Sequence, residues 1–247
     1  MFTLCIPTMN RFDKYLSKNL QKYLDNQYIN EIIITDENGN DIKKIKDKFN
    51  NYKLKLFINE KRLGPFLNKL KALHLANNKW IALIDSDNFA DIDYFRIAKQ
   101  FIDTKKPNEN TILSPCYASD TFRWEHLSEI NQPFNKLTSK QFYKIEKDKK
   151  TTGKISHLMN LGNYILNKKL ANELNIDKDI NIIKNSYSFD VVLMNTLFFE
   201  QFNINFWIIN DMKYQHITSE DSIYLEMQNK CRDNAKKTYD RLYKYLN

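Results

Sequence analysis

The sequence predicts an α/β protein: a single mixed, mostly parallel sheet flanked by helices, with a helical extension at the carboxyl end. Three observations carry this. Short apolar, β-prone runs at residues 2–6, 32–35, 54–58 and 81–84 alternate with stretches whose apolar residues recur every three or four positions. Such alternation implies parallel strands joined by right-handed crossovers. The runs around residues 32–35 and 81–84 are apolar throughout, as strands covered on both faces are. A chain of 247 residues without an internal repeat is also long enough for one large domain with a well-buried core.

Taken in order, the run 2–6 is stopped by Pro7, and the loop Pro7-Thr8-Met9-Asn10-Arg11 follows. Phe12, Tyr15, Leu16, Leu20, Tyr23 and Leu24 then trace one face of an amphipathic helix. The second strand, 32–35, ends in the acidic loop from Asp36 to Asp41, and a short helix through Ile42, Ile45 and Phe49 leads to the third, 54–58. A helix over 66–76 feeds the fourth strand, 81–84, which runs into Asp85-Ser86-Asp87-Asn88. Beyond it the pattern predicts a helix over 89–101 anchored by Ile92, Phe95, Ile97 and Phe101, and a strand over 111–116. Residues 118–160 read as loops and short strands, with Trp124 and a basic run at 144–154 of the kind usually found on a solvated loop. A short apolar run at 161–166, a helix over 169–174 and an apolar helix opened by Asp190 follow. A late strand over 205–209 precedes a segment carrying His216, and a helix over 219–247 begins with the N-cap sequence SEDS.

The loop after the fourth strand is where chemistry is expected. Side chains alternate along an extended chain, so Asp85 and Asp87 can project to one side with Ser86 turned away. Two carboxylates on one side form half of a site for Mg²⁺ or Mn²⁺, which are completed by water and substrate phosphates. The same four residues also suit a plain turn. What favours the site is topology, because ligands of open parallel sheets bind beyond the carboxyl ends of the strands. The loops at 8–11, 36–41 and 85–88 would share that edge.

Composition narrows the alternatives. The net charge of +8 suits an anionic substrate, nucleic acid or a membrane surface, but the lysines are scattered among acids and no nucleic-acid-binding motif accompanies them. Three widely spaced cysteines predict reduced thiols in a cytosolic protein. The amino terminus does not read as a secretory leader, and no apolar stretch reaches the ~20 residues of a membrane span. The expected location is cytoplasmic, with peripheral membrane contact left to the basic carboxy-terminal helix.

These segments, in this order, resemble the nucleotide-sugar glycosyltransferases of the GT-A fold, whose sheet is Rossmann-like, and family 2 in particular. FTLCIPTMNRF at 2–12 is similar to the family's opening strand and IPTYNR-like loop, and EIIITDENGND at 31–41 to its EIIVVDDGSTD segment. Residues 59–68 followed by ANNKWIALIDSDN are similar to the N-x-GP-x-ARN helix and GEYIAFLDSDD strand. Gly162-Asn163-Tyr164 with Lys168-Lys169 is similar to a GGNxxxRR segment, and Phe189-Asp190 stands where the family has Glu-Asp. Leu67 replaces an Arg and Leu70 a Gly, leaving Arg62, Lys69 or Lys71 to stand in for the missing cation.

The resemblance implies a glycosyltransferase domain over 1–218, with a nucleotide-sugar half (1–117) and an acceptor half (118–218), followed by the helix 219–247. Pro7, Thr8, Asn10, Arg11, Asn68, Lys69, Asp85 and Ser86 would line the donor site, with Asp36 on the base. Asp85, Asp87 and His216 would hold Mn²⁺ or Mg²⁺, and Asp190 would be the general base of an inverting transfer. UDP is the implied nucleotide, the acceptor a hydroxyl of a glycan, lipid-linked or protein substrate, and a homodimer is compatible; nucleic acid is not an expected partner. Each role has a plainer rival: Asp36 and Asp190 as helix caps, His216 as an ordinary histidine after a strand, Trp207 as core in place of a sugar-stacking surface. A nucleotidyltransferase would share the α/β pattern but should open with a Gly-rich phosphate loop, which PTMNR is not. A non-catalytic basic module would not need three acidic loops at one edge.

Overall fold

The apolar runs become neighbouring strands in the computed structural model of the chain, which describes residues 1–119, 122–123, 134–137, 163–217 and 223–246. The strands are β1 (Phe2–Thr8), β2 (Ile29–Asp36), β3 (Leu54–Ile58), β4 (Trp80–Leu83), β5 (Phe89–Ala90), β6 (Thr111–Ala118), β7 (Phe122–Arg123), β8 (Phe134–Leu137), β9 (Tyr164–Asn167) and β10 (Asn205–Gln215). Their order is β3-β2-β1-β4-β9-β6-β10-β5, with β7 on β6 and β8 on β10. The pairs β1–β2, β1–β4, β2–β3 and β6–β10 are parallel. The short run expected near 161–166 is the antiparallel β9, between β4 and β6. The sheet is therefore mixed, yet β1 to β4, β6 and β10 all point the same way, and their carboxyl ends share one edge. Because β9 runs backwards, its first residues start at that edge.

Helices cover both faces. On one lie α3 (Pro65–Leu75), α5 (Lys168–Glu173) and α6 (Asp190–Gln201). Phe66, Leu73, Leu193 and Phe198 there pack on Cys5, Leu83, Leu166 and Ile208. The other face holds α1 (Ser17–Leu24), α2 (Asn40–Lys48) and α4 (Tyr94–Lys105). Leu20, Ile45, Phe95 and Phe101 there meet Leu4, Ile34, Ala82 and Ile165. Alternate residues of β1, β2 and β4 thus enter opposite cores, the physical reason those runs are apolar without alternation. The three cysteines are free and buried.

Several boundaries differ from the sequence reading. The helix expected over 89–101 starts at Tyr94, because Phe89 and Ala90 pair with Gln215 and Tyr214 of β10 instead. Ile92, expected as an anchor, lies in the intervening turn and is 87% exposed. The late strand is longer than expected, 11 residues, bent by a register shift between Ile209 and Lys213 with Asp211 at φ 63°. Trp207 packs edge-on against Phe101 at 5.1 Å, as part of the core. Trp124, the basic run 144–154, Gly162 and the SEDS cap lie outside the described residues.

The terminal helix, α7 (Ile223–Leu246), lies against α6. Cys231 and Leu242 are buried there, and Arg241 donates to Glu200 Oε1 (2.8 Å) and Asp179 Oδ1 (2.7 Å). Its apolar side is used inside the protein, leaving Lys230, Arg232, Lys236, Lys237 and Lys244 on the outer side. No helix among the described residues is long and apolar enough to cross a membrane.

Candidate active site

The loops at 8–11 and 36–41 are fastened to one another by their own side chains. Asp36, at the end of β2, is fully buried; its carboxylate accepts the backbone N–H groups of Asn38 in the loop and of Asp41 and Ile42 in the first turn of α2. Gly39 precedes that helix at φ 81°, where a Cβ would approach Ile58 to 3.2 Å. Asp41 turns back towards the first loop, taking the Thr8 hydroxyl and the backbone N–H groups of Arg11 and Phe12, the latter two at 2.9 Å. Asn10, at φ 57°, accepts the side-chain amides of Asn38 and Asn40, both at 3.0 Å. Pro7 and Thr8 lie beside Thr35 and Asp36 in the β1–β2 register.

Asp41 was not singled out by sequence, and the only local signal was its place two residues after a loop glycine. Asp41→Ala is expected to cost about 2–3 kcal/mol, since it leaves buried N–H donors unpaired. Urea unfolding checks this.

The third loop carries the charges. Asp85 follows β4, and its backbone N–H donates to Asn163 Oδ1 at 3.1 Å, just before β9. Tyr94, fully buried, donates its hydroxyl to the Asn163 carbonyl at 2.9 Å. Asn88 Oδ1 accepts the Ile217 N–H at 3.1 Å, bringing the segment that contains His216 beside the Asp87 loop. His216 is itself held by Ser119, whose hydroxyl accepts its N–H at 2.9 Å and donates to its carbonyl at 3.2 Å. Ser86 is buried.

From the opposite side, α3 places Lys69 and α6 places Asp190. Lys69 Nζ lies 2.7 Å from Asp190 Oδ2 and 3.0 Å from Asp85 Oδ1. Arg11 Nε lies 3.8 Å from Asp87 Oδ2. Burial raises the pKa of Asp190, with the Lys69 ammonium pulling the other way. Burial also works against the charge of Lys69, but Asp190 and Asp85 outweigh it and raise its pKa. Burial, and then the charge of Asp85, push Asp87 up to about 6, with Arg11 opposing. Tyr164, buried, turns its hydroxyl into the field of Lys69, Asp190 and Asp85, and that hydroxyl has no hydrogen-bond partner among the described residues.

The structure therefore brings Arg11, Lys69, Asp85, Asp87 and Asp190 together. Asn68 faces inward, donating to the Thr35 carbonyl at 3.2 Å and accepting from Asn59 at 2.9 Å. Of the cations able to replace the arginine absent at Leu67, Lys71 is bound to Asn59 Oδ1 at 2.7 Å and Lys69 to the two carboxylates. Arg62 is exposed and lies over the Tyr187 ring, 5.8 Å from its centroid.

Asp85 and Asp87 fit a hard divalent cation. They are oxygen donors, and the pKa of Asp87 is raised by burial first and by the neighbouring Asp85 charge second, both of which a bound cation would offset. No group of three His, Cys, Asp or Glu side chains among the described residues could hold a metal ion. The His216 ring is thus not part of such a cluster, and the remaining ligands would come from water and substrate.

Three comparisons bear on this arrangement. The profile described as "Glycosyl transferase family 2" matches residues 3–171. A protein described as an uncharacterized glycosyltransferase, MJ1057 of Methanocaldococcus jannaschii, is 25% identical over 242 residues, covering 91% of this chain and 76% of its own length. Among solved structures, residues 1–349 of S. aureus TarS in complex with UDP-GlcNAc superpose with a TM-score of 0.65 at 16% identity, over 100% of this chain and 71% of that one. Against the longer TarS chain the TM-score is 0.62 at 16% identity, and this chain spans only 42% of its length. The TarS likeness concerns the fold, which is of the GT-A type. From the loop motifs, the sheet order and the profile that covers most of the chain, this protein is a glycosyltransferase and belongs to glycosyl transferase family 2.

Proposed function

We propose that the protein transfers a sugar from a nucleotide diphosphate donor, a UDP-sugar, to a hydroxyl of a glycan, lipid-linked or protein acceptor, with inversion at the anomeric carbon. The observation that carries this reading is the meeting of a carboxylate pair, Asp85 and Asp87, with the buried carboxylate of Asp190 at the ligand-binding edge of the sheet. The complex of TarS with UDP-GlcNAc supports the nucleotide class.

In this reading the Thr8–Arg11 loop and Ser86 line the nucleotide pocket, and the Arg11 guanidinium faces the diphosphate. With all three of its N–H contacts inside the fold, Asp36 acts on the base through the shape it gives the 36–41 loop. Asp85 and Asp87 would hold Mg²⁺ or Mn²⁺, which would supply Lewis-acid neutralisation of the departing diphosphate. Asp190 accepts the proton of the acceptor hydroxyl as it attacks; its raised pKa makes it a stronger base than an ordinary carboxylate. One base and direct displacement from the far face give inversion. His216, whose neighbour Ile217 is bonded to Asn88 of the Asp87 loop, would join the metal or the diphosphate. A peripheral membrane contact would run through the charged outer side of α7 and be lost by about 0.5 M salt, as screened charge contacts are.

Calorimetric titration of UDP, GDP, dTDP and CMP, with Mn²⁺, with EDTA and with Asp87→Ala, tests the reading. UDP is expected to bind in a Mn²⁺-dependent manner that the substitution abolishes. Binding that EDTA and Asp87→Ala leave unchanged would remove the metal from the account, and preference for another nucleotide would reassign the donor.

A further inference from the structure

Lys69 was expected at the nucleotide, yet its ammonium faces elsewhere. Its side chain is 8% exposed, and two of its three protons are directed at Asp190 Oδ2 (2.7 Å) and Asp85 Oδ1 (3.0 Å). Three elements meet at this one atom: α3 supplies it, α6 opens with Asp190, and β4 ends two residues before Asp85. From this geometry we propose that Lys69 is a positioning residue, which fixes the Asp190 carboxylate and ties it to the donor loop without touching the donor. The proposal rests on Asp190 being the base.

The physical argument has two parts. A carboxylate buried as Asp190 is needs a partner of opposite charge, and removing that partner leaves it free to turn towards whatever polar atom is nearest. A base displaced by about 1 Å loses on the order of 10²-fold in rate, because proton transfer depends on the geometry of attack. A second consequence comes from the shared cation. Since one ammonium holds both Asp85 and Asp190, the distance between the donor loop and the base is set by Lys69 and not by the substrates.

The test compares Lys69→Met, Asp190→Asn and the double variant in the full chain, reading kcat, donor KM and melting temperature, with Lys69→Ala assayed with and without ethylammonium. Lys69→Met should lower kcat by about 10²-fold while donor KM moves by less than about threefold. The double variant should be no slower than Asp190→Asn, because residues that act as a unit are not additive. Ethylammonium should restore part of the activity of Lys69→Ala, which a purely structural lesion would not allow. A tenfold rise in donor KM at unchanged kcat would make Lys69 a donor contact and overturn the proposal, as would fully additive losses. Wild-type kcat in Lys69→Met beside a slow Asp190→Asn sinks the role of Lys69 alone, whereas wild-type kcat in Asp190→Asn removes the base and the proposal together. If Lys69→Met melts below the assay temperature, the ethylammonium comparison decides, and no recovery counts against the proposal.

Discussion

Asp190→Asn is expected to lower kcat by about 10²- to 10⁴-fold, the range that removal of a positioned general base produces. Donor binding should change little, because the substitution keeps an oxygen able to accept from Lys69 and leaves Asp85 and Asp87 intact. The contrast between turnover and nucleotide titration is the informative measurement. A collapse of both would place Asp190 in the donor site, and an unchanged kcat would put the base elsewhere. Fold stability should fall, since the buried Lys69 ammonium then keeps only Asp85 as a charged partner.

Asp87→Asn should separate function from stability. Metal-dependent nucleotide binding is expected to weaken by at least about 10²-fold, as loss of a charged metal ligand does. The metal-free protein should nonetheless become more stable at pH 8. The sign follows from the raised pKa: Asp87 titrates at about 6 in the fold against an ordinary 3.8, so the folded state binds its proton more tightly than the unfolded chain does. Ionisation therefore destabilises the metal-free fold above pH 6, and that destabilisation disappears as pH falls through 6 towards 4. A shift of this size corresponds to about 3 kcal/mol, or a rise in Tm of about 9 °C for the variant at pH 8 that vanishes near pH 4. Melting curves at the two pH values without metal check it. In the native protein, nucleotide binding should weaken below about pH 6 as Asp87 takes up its proton; affinity that stays flat to pH 5 would contradict the assignment.

The parts legible in the sequence were those set by local physics. Runs buried on both faces are apolar regardless of distant partners, so β1, β2 and β4 could be read directly, and the shared edge of their loops followed from the topology rule. The Asp85–Asp87 pair was legible for the same reason, as carboxylates at the end of such a run. What could not be read depends on partners far along the chain. Nothing in Tyr164–Asn167 says that the strand runs antiparallel. Phe89 and Ala90 look helical until β10 claims them. Lys69 reads as a donor contact and not as a partner of Asp190, because that carboxylate lies 121 residues away. Asp36 illustrates a further limit, since a helix cap and a base contact ask for the same residue at the same place.

The position of β9 has a consequence for engineering. It comes from the chain beyond residue 160, yet it is the central seam that joins the first four strands to the last ones. Chimeras that exchange the front of this protein for that of a relative, hoping to trade donor preference alone, would pair β9 against a foreign β4. Grafts should therefore be made loop by loop on an intact sheet. For the same reason, a fragment ending near residue 117 would leave one edge of β4 unpaired and strand β5 and β6 without β9 and β10, and it is expected to aggregate in place of folding as a miniature enzyme.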